Sequence, residues 1–300
     1  IVKELCDAAR DSSLKIDLYY SHPDWYDADF RPYNTHPLMV ITPERTPEET
    51  RRMVTRHREQ LRELLTNYGK IDMLCLDQWL GADVWDETKA TVKMIRRLQP
   101  DIMIRCRGIG NYGDYYTPEG FVPGSRENTN MPWMVIYPLA SSFSYDKDGD
   151  NYKGAAWIIR NLTDAVSKGG SFMVGIGPDG TGQFHPEAIR QLEETGRWLA
   201  VNGEGIYNTR AREIWKEGDT RFTQSKDGAR IYAFISDAPA GEIVLESIRP
   251  RTDSEVRLLG YPTPLPWSVT EKGTEIILPE ELGDEKNRGD KQIWTLRIEQ

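Results

Sequence analysis

Three stretches of the 300-residue sequence carry side chains suited to chemistry. The first, Ile71-Asp72-Met73-Leu74-Cys75-Leu76-Asp77-Gln78-Trp79, is an apolar run too short for a helix that ends on a carboxylate with a tryptophan beside it. Asp77 reads there as a nucleophile next to a stacking surface, or as the cap of the helix that follows. The second is Arg105-Cys106-Arg107-Gly108. Strand alternation puts Arg105 and Arg107 on one side, where a guanidinium holds a carboxylate, bridges sugar hydroxyls or neutralises a structural Asp. The third, Gly113-Asp114-Tyr115-Tyr116-Thr117-Pro118-Glu119-Gly120, sets Glu119 in a loop after a proline, as a proton carrier or as a solvated side chain. Two carboxyls flanking a scissile bond, about 5 Å apart for retention, are the parts that glycoside hydrolysis needs. A rigid strand suits Asp77 as the nucleophile, and a loop suits Glu119 as an acid/base whose pKa rises as the site closes. Arg107 would favour ionisation of a neighbouring carboxylate.

The elements that position these residues follow from apolar spacing and turn signals. Residues 1–13 have Val2, Leu5, Cys6 and Ala9 at helical spacing, and Lys15 to Tyr20 reads as a strand. It delivers Tyr19, Tyr20, Ser21 and His22 into a long loop, to about Pro47, that holds His22-Pro23-Asp24-Trp25-Tyr26 and Arg31-Pro32-Tyr33-Asn34-Thr35-His36-Pro37. Thr46-Pro47-Glu48-Glu49 opens a helix to Tyr68. After the Asp77 strand come a helix from about Val84 to Leu98, a strand Ile102 to Arg107, a second long loop Gly108 to Pro132, and a strand Trp133 to Leu139. A helix Tyr152 to Ser167 ends at Lys168-Gly169-Gly170, and a strand Ser171 to Ile176 and a helix Pro186 to Val201 complete the series. Strand and helix alternate throughout, the pattern of βα units on a parallel sheet, and no glycine-rich phosphate loop follows any strand. A (β/α)8-like barrel lacking its N-terminal strands is therefore expected, because the chain opens in what reads as mid-helix with no initiator Met.

After Tyr207 the pattern changes to short runs rich in β-branched and aromatic residues. They are Thr220 to Gln224, Arg230 to Ile235, Glu242 to Glu246, Val256 to Leu259, Glu275 to Leu278 and Gln292 to Ile298, divided by turns such as Lys226-Asp227-Gly228 and Pro239-Ala240-Gly241. The expected organisation is a barrel portion over 1–207 and a small antiparallel β-sandwich over 208–300. A net charge of −9 argues against nucleic acid. No apolar run reaches about 18 residues, so no membrane span is expected. Cys6, Cys75 and Cys106 have no metal-ligand spacing and read as small buried hydrophobes, so neither metal nor cofactor is expected. Nine Trp and fourteen Tyr are compatible with sugar stacking and equally with core packing. The sequence specifies no oligomeric state.

Two longer motifs carry a resemblance. Gly169-Gly170-Ser171-Phe172-Met173-Val174-Gly175-Ile176-Gly177-Pro178-Asp179-Gly180-Thr181-Gly182, with Gly196-Arg197-Trp198-Leu199 and Val201-Asn202-Gly203-Glu204-Gly205-Ile206-Tyr207-Asn208-Thr209-Arg210, resembles the α-L-fucosidases of glycoside hydrolase family 29. So does Leu18-Tyr19-Tyr20-Ser21 with Asp24-Trp25. The resemblance implies a (β/α)8-like barrel followed by a β-sandwich and a retaining mechanism, with Asp77 as nucleophile and Glu119 as acid/base. It also implies Arg107 as a sugar-binding Arg and Tyr19 as a pocket tyrosine. Trp25 and Trp79 join them as expected substrate contacts, and His22 is a candidate contact or a loop-stabilising His. A fucosylated oligosaccharide or glycoconjugate is the implied substrate, and an exported or periplasmic location the implied setting. Two positions depart from the family: Cys75 stands where many members have Trp, and Trp133-Met134 where many have Trp-Glu. The alternatives are a relative acting on another α-linked sugar and a sugar-binding fragment without turnover.

Overall fold

The computed structural model describes residues 1–30, 45–124, 131–236, 241–283 and 293–300. Residues 31–37 of the first expected loop and 239–240 of one expected turn lie outside them. The chain divides into two compact units, Ile1–Thr117 and Pro118–Gln300.

In the first unit, helix α1 (Val2–Asp11) precedes strand β1 (Asp17–Ser21), helix α2 (Pro47–Thr66), strand β2 (Met73–Asp77), helix α3 (Trp85–Leu98) and strand β3 (Met103–Ile104). The strands form a parallel sheet in the order β1-β2-β3, with Tyr19 opposite Cys75 and Ser21 opposite Asp77. Period-two alternation buries Leu74 and Leu76 fully among Leu61, Leu65, Ile95 and Ile104, so Cys75 and Asp77 point to the opposite face. Helix α2 begins as its sequence requires. The Thr46 hydroxyl accepts from the Glu49 amide, the Glu49 carboxylate accepts from the Thr46 amide, and Pro47 occupies the first turn, where its missing N–H costs nothing. Its buried stripe runs Met53, Val54, His57, Leu61, Leu65, which places a histidine among apolar side chains.

Strand β3 is shorter than expected because its continuation pairs elsewhere. The Asp114 carboxylate accepts from the Ile104 amide at 2.7 Å, and the Cys106 amide donates to the Tyr115 carbonyl. The chain therefore folds back on itself, and Arg105 bridges to Tyr115 rather than extending the sheet.

The second unit contains strand β4 (Met134–Pro138), helix α4 (Ala155–Ser167), strand β5 (Ser171–Gly175) and helix α5 (Pro186–Asn202), with β4 and β5 parallel. Eight further strands follow among the described residues: β6 (Thr209–Glu217), β7 (Thr220–Ser225), β8 (Arg230–Ser236), β9 (Glu242–Leu245), β10 (Val256–Leu258), β11 (Trp267–Thr270), β12 (Gly273–Ile277) and β13 (Ile293–Glu299). They make two antiparallel sheets, β10-β13-β8-β7-β6 and β11-β12-β9, around a core that includes Phe222, Ile231, Leu245, Ile276 and Leu296. Strands β6 and β11 were not expected from the sequence. Helices α4 and α5 pack directly on this β region: Ile159 and Trp198 are buried with Tyr232, Phe234 and Ile293, and the Trp198 indole donates to the Ile293 carbonyl at 2.8 Å.

Candidate active site

The carboxylate that closes β2 is the centre of a polar cluster in the first unit. Asp77 is 7% exposed. Its Oδ2 accepts from the Tyr19 hydroxyl, brought over it by the neighbouring strand, and its Oδ1 accepts from Arg107 Nη1 at 2.8 Å. Arg105 Nη1 lies 3.9 Å from the same oxygen, an ionic contact without a hydrogen bond. Burial pushes the Asp77 carboxyl up, but the Tyr19 hydroxyl, the Arg107 guanidinium and the Arg105 charge outweigh it and hold the group below the usual carboxylate value. Burial and then the Asp77 contact raise the Tyr19 phenol to about 12, so it stays a donor at neutral pH. The result is an ionised, oriented carboxylate at a strand end.

Arg105 and Arg107 do share a side, as alternation required, and both address Asp77. They differ in setting. Arg105 is 1% exposed, with Nε on the Thr117 hydroxyl at 2.5 Å and Nη1 on Cys75 Sγ at 2.9 Å, and its guanidinium lies 5.9 Å from the Tyr19 ring centre. Arg107 is less buried and also donates from Nη2 to the Thr117 carbonyl at 3.1 Å. Cys75 corrects one expectation: it is buried, yet it serves as the acceptor that anchors a buried guanidinium, not as a mere hydrophobe. Cys106 corrects another, being only half-buried.

The remaining expected residues are placed differently. Trp79 and Trp25 are about half exposed, each beside the loop that leaves its strand. Trp25 rides on a turn in which Asp24 accepts from the Tyr26 amide, and that loop is fastened to α2 by Arg52 on Asp29 and by Arg56 on Asp27. His22 is buried and both ring nitrogens face protein partners, His57 Nε2 at 3.0 Å and the Arg107 carbonyl at 3.3 Å. That leaves no ring nitrogen for a sugar hydroxyl. Glu119 belongs to the second unit and its side chain is exposed. Its segment is not a free loop. Glu119 bridges Ile136 of β4, the Gly120 amide donates to the Ile136 carbonyl at 3.0 Å, and the Ile136 amide donates to the Pro118 carbonyl at 2.9 Å.

Among the described residues no three His, Cys, Asp or Glu side chains gather as a metal-binding group. Sequence reasoning missed His57 and the Cys75–Arg105–Thr117 contacts. His57 left one signal, a histidine at a core position of an otherwise apolar helix stripe.

Comparison with known proteins gives this geometry a family. The family model described as α-L-fucosidase matches residues 1–204, and that of the α-L-fucosidase C-terminal domain matches residues 209–299. The chain belongs to the α-L-fucosidase family. The human plasma α-L-fucosidase is 28% identical over 303 residues, which cover 93% of this chain and 62% of that protein. An α-L-fucosidase of Dictyostelium discoideum is 25% identical, with 94% and 60% covered. The chain thus spans about three fifths of the length of these relatives. Among solved structures, α-L-fucosidase isoenzyme 1 from Paenibacillus thiaminolyticus superposes with a TM-score of 0.81 at 26% identity, over 99% of this chain and 75% of that one. A Bacteroides thetaiotaomicron family 29 α-L-fucosidase, solved as a trapped covalent intermediate, shares the fold with a TM-score of 0.80 at 20% identity, over 100% and 71%.

Proposed function

We propose that this chain carries the chemistry of a retaining exo-α-L-fucosidase, with residues 1–207 as a portion of a (β/α)8-like barrel and 208–300 as its β-sandwich. The observation that carries the reading is the ionised Asp77 at the end of β2, oriented by Tyr19 and Arg107 within the segment that the family model matches. Asp77 attacks the anomeric carbon of an α-L-fucoside as the bond to the leaving oxygen breaks, and Glu119 gives that oxygen its proton. Water then attacks the fucosyl–Asp77 ester, Glu119 takes its proton, and Asp77 leaves as a carboxylate, so two inversions retain configuration. The covalent intermediate trapped in the Bacteroides relative supports a double displacement. Arg107 and Tyr19 reach Asp77 and would grip the sugar beside it, and the half-exposed Trp25 and Trp79 offer flat faces for stacking. Fucosylated oligosaccharides or glycoconjugates are the substrates, and a secreted or periplasmic setting matches such substrates.

The test is nitrophenol release from an aryl α-L-fucoside by the chain and by Asp77→Asn, with folding checked by circular dichroism. Turnover should fall on the order of 10⁴-fold in the variant. An Asp77→Asn protein as active as the wild type removes Asp77 from the mechanism. The contact of Cys75 with Arg105 replaces what is a Trp in many members, which favours a screen of other aryl α-glycosides as the companion assay.

A further inference from the structure

His22 joins the ends of all three strands of the first sheet. It follows the last residue of β1, its amide donates to the Asp77 carbonyl at the end of β2 at 2.9 Å, and its ring meets the Arg107 carbonyl just beyond β3. The turn after Arg107 lies against that ring. Gly108 adopts φ +73°, and a Cβ there would stand 2.7 Å from His22 Cδ2. On its other side the ring stacks on His57 of α2, with centroids 5.2 Å apart and planes 28° from parallel.

The proton positions follow from donor arithmetic. A carbonyl only accepts, so His22 Nε2 carries its hydrogen toward Arg107. The Nδ1 of the neutral ring is then a bare acceptor, and the nitrogen 3.0 Å away, His57 Nε2, must be the donor. His57 Nδ1 is left unprotonated, buried and without a partner among the described residues. Burial holds both rings neutral, lowering His22 to about 4 and His57 to about 3. The two imidazoles form a directed chain, His57 N–H to His22, His22 N–H to the Arg107 carbonyl. Arg107 is thereby held at its backbone by His22 while its guanidinium spans Asp77 and the Thr117 carbonyl.

We propose that His22, aligned by His57, is a positioning residue that fixes Arg107 against Asp77. His57 sets the tautomer of His22 as an orienting group sets that of a catalytic histidine, but here the hydrogen bond is delivered to the backbone of the residue that holds the nucleophile. The functional meaning rests on the reading of Asp77 as nucleophile; the structural claim does not.

The test uses the 300-residue chain and two readouts that need no turnover. Long-range 1H–15N spectra of its four histidines, assigned through the backbone, should show His22 and His57 as neutral Nε2–H forms at pH 7 with no titration down to pH 5. An Nδ1–H form, or a midpoint near 6.5 in either ring, overturns the donor chain. Arg107 Nη resonances, resolved while the bond to Asp77 restrains rotation, should be lost in His57→Leu and kept in His57→Gln, whose amide can donate to His22 Nδ1. Resolved signals in a folded His57→Leu reduce the pair to core packing and overturn the proposal, as does loss in both variants alike. If His57→Leu does not fold, the wild-type tautomers and His57→Gln still decide. A chain that folds with this donor chain but hydrolyses no fucoside refutes the proposed function and leaves this inference standing.

Discussion

Acid should weaken this protein in a pH range where its carboxylates are still silent, and the buried histidine pair sets the size of the effect. His22 and His57 are held neutral in the fold, at about 4 and about 3 against the ordinary 6.5. Between those values the unfolded chain binds two protons that the folded chain refuses, so stability rises with pH there. The contribution is complete above pH 6.5 and is lost as pH falls toward 4. Near pH 5 the difference is close to two protons, a slope of about 2.5 kcal/mol per pH unit, which accumulates to about 4 kcal/mol between pH 6.5 and 4.5. Domains of this kind have roughly 5–15 kcal/mol in total, so the loss should move the transition midpoint far outside error. Urea unfolding followed by tryptophan fluorescence from pH 7.5 to 4.5 measures it, alongside a His22→Asn/His57→Gln double variant. The wild type should lose stability steeply over that window and the variant should be nearly flat. Partnered carboxylates such as Asp77, held below the usual value, contribute only at lower pH. Equal slopes in the two proteins would refute the assignment of the pair as buried and neutral.

Two other substitutions probe the site more narrowly. Tyr19→Phe removes the hydroxyl that donates to Asp77 Oδ2; a hydrogen bond to a charged group contributes about 1.5–3 kcal/mol, or roughly one to two pKa units. The acidic limb of the kcat/KM profile on an aryl fucoside should move up by about that much, and an unmoved limb would detach Tyr19 from the ionisation of Asp77. Gly108→Ala places a Cβ 2.3 Å from the Gln78 carbonyl at φ +73°. It should cost about 1–3 kcal/mol in a melting experiment, and a variant as stable as wild type would show that the turn has room to give.

What could be read without coordinates was whatever local spacing encodes. The apolar run before Asp77, the proline and acids that open α2, and the glycines that close α4 each announce their element within a few residues. Asp77 was legible because a strand that turns polar at its end exposes the change in the sequence itself. Strand β6 was not, since Thr209–Glu217 alternates charged residues with few apolar ones and its Trp215 lies under three cations, Lys168, Lys216 and Arg221. Strand β11 is four residues in a proline-rich stretch, too short to show a period. The partners of Asp77 and His22 were hidden for another reason. His57 meets His22 across 35 positions, and Arg105 meets Cys75 across 30, distances that only the sheet order and the packing of α2 convert into contact.

Helix α2 grips the segment after β1 with two kinds of fastening. Near Asp77 the tie is a neutral, buried imidazole pair. Farther out, around Trp25, it is ionic: Arg52 and Arg56, each about half exposed, reach Asp27 and Asp29. Electrolyte screens the second and hardly touches the first. As ionic strength rises, the ion pairs around Asp27 and Asp29 should weaken while His22 stays tied to the strand that ends on Asp77. The protein thus separates a salt-responsive rim from a salt-indifferent centre, so that added electrolyte reaches the turn that carries Trp25 before it reaches the geometry around Asp77.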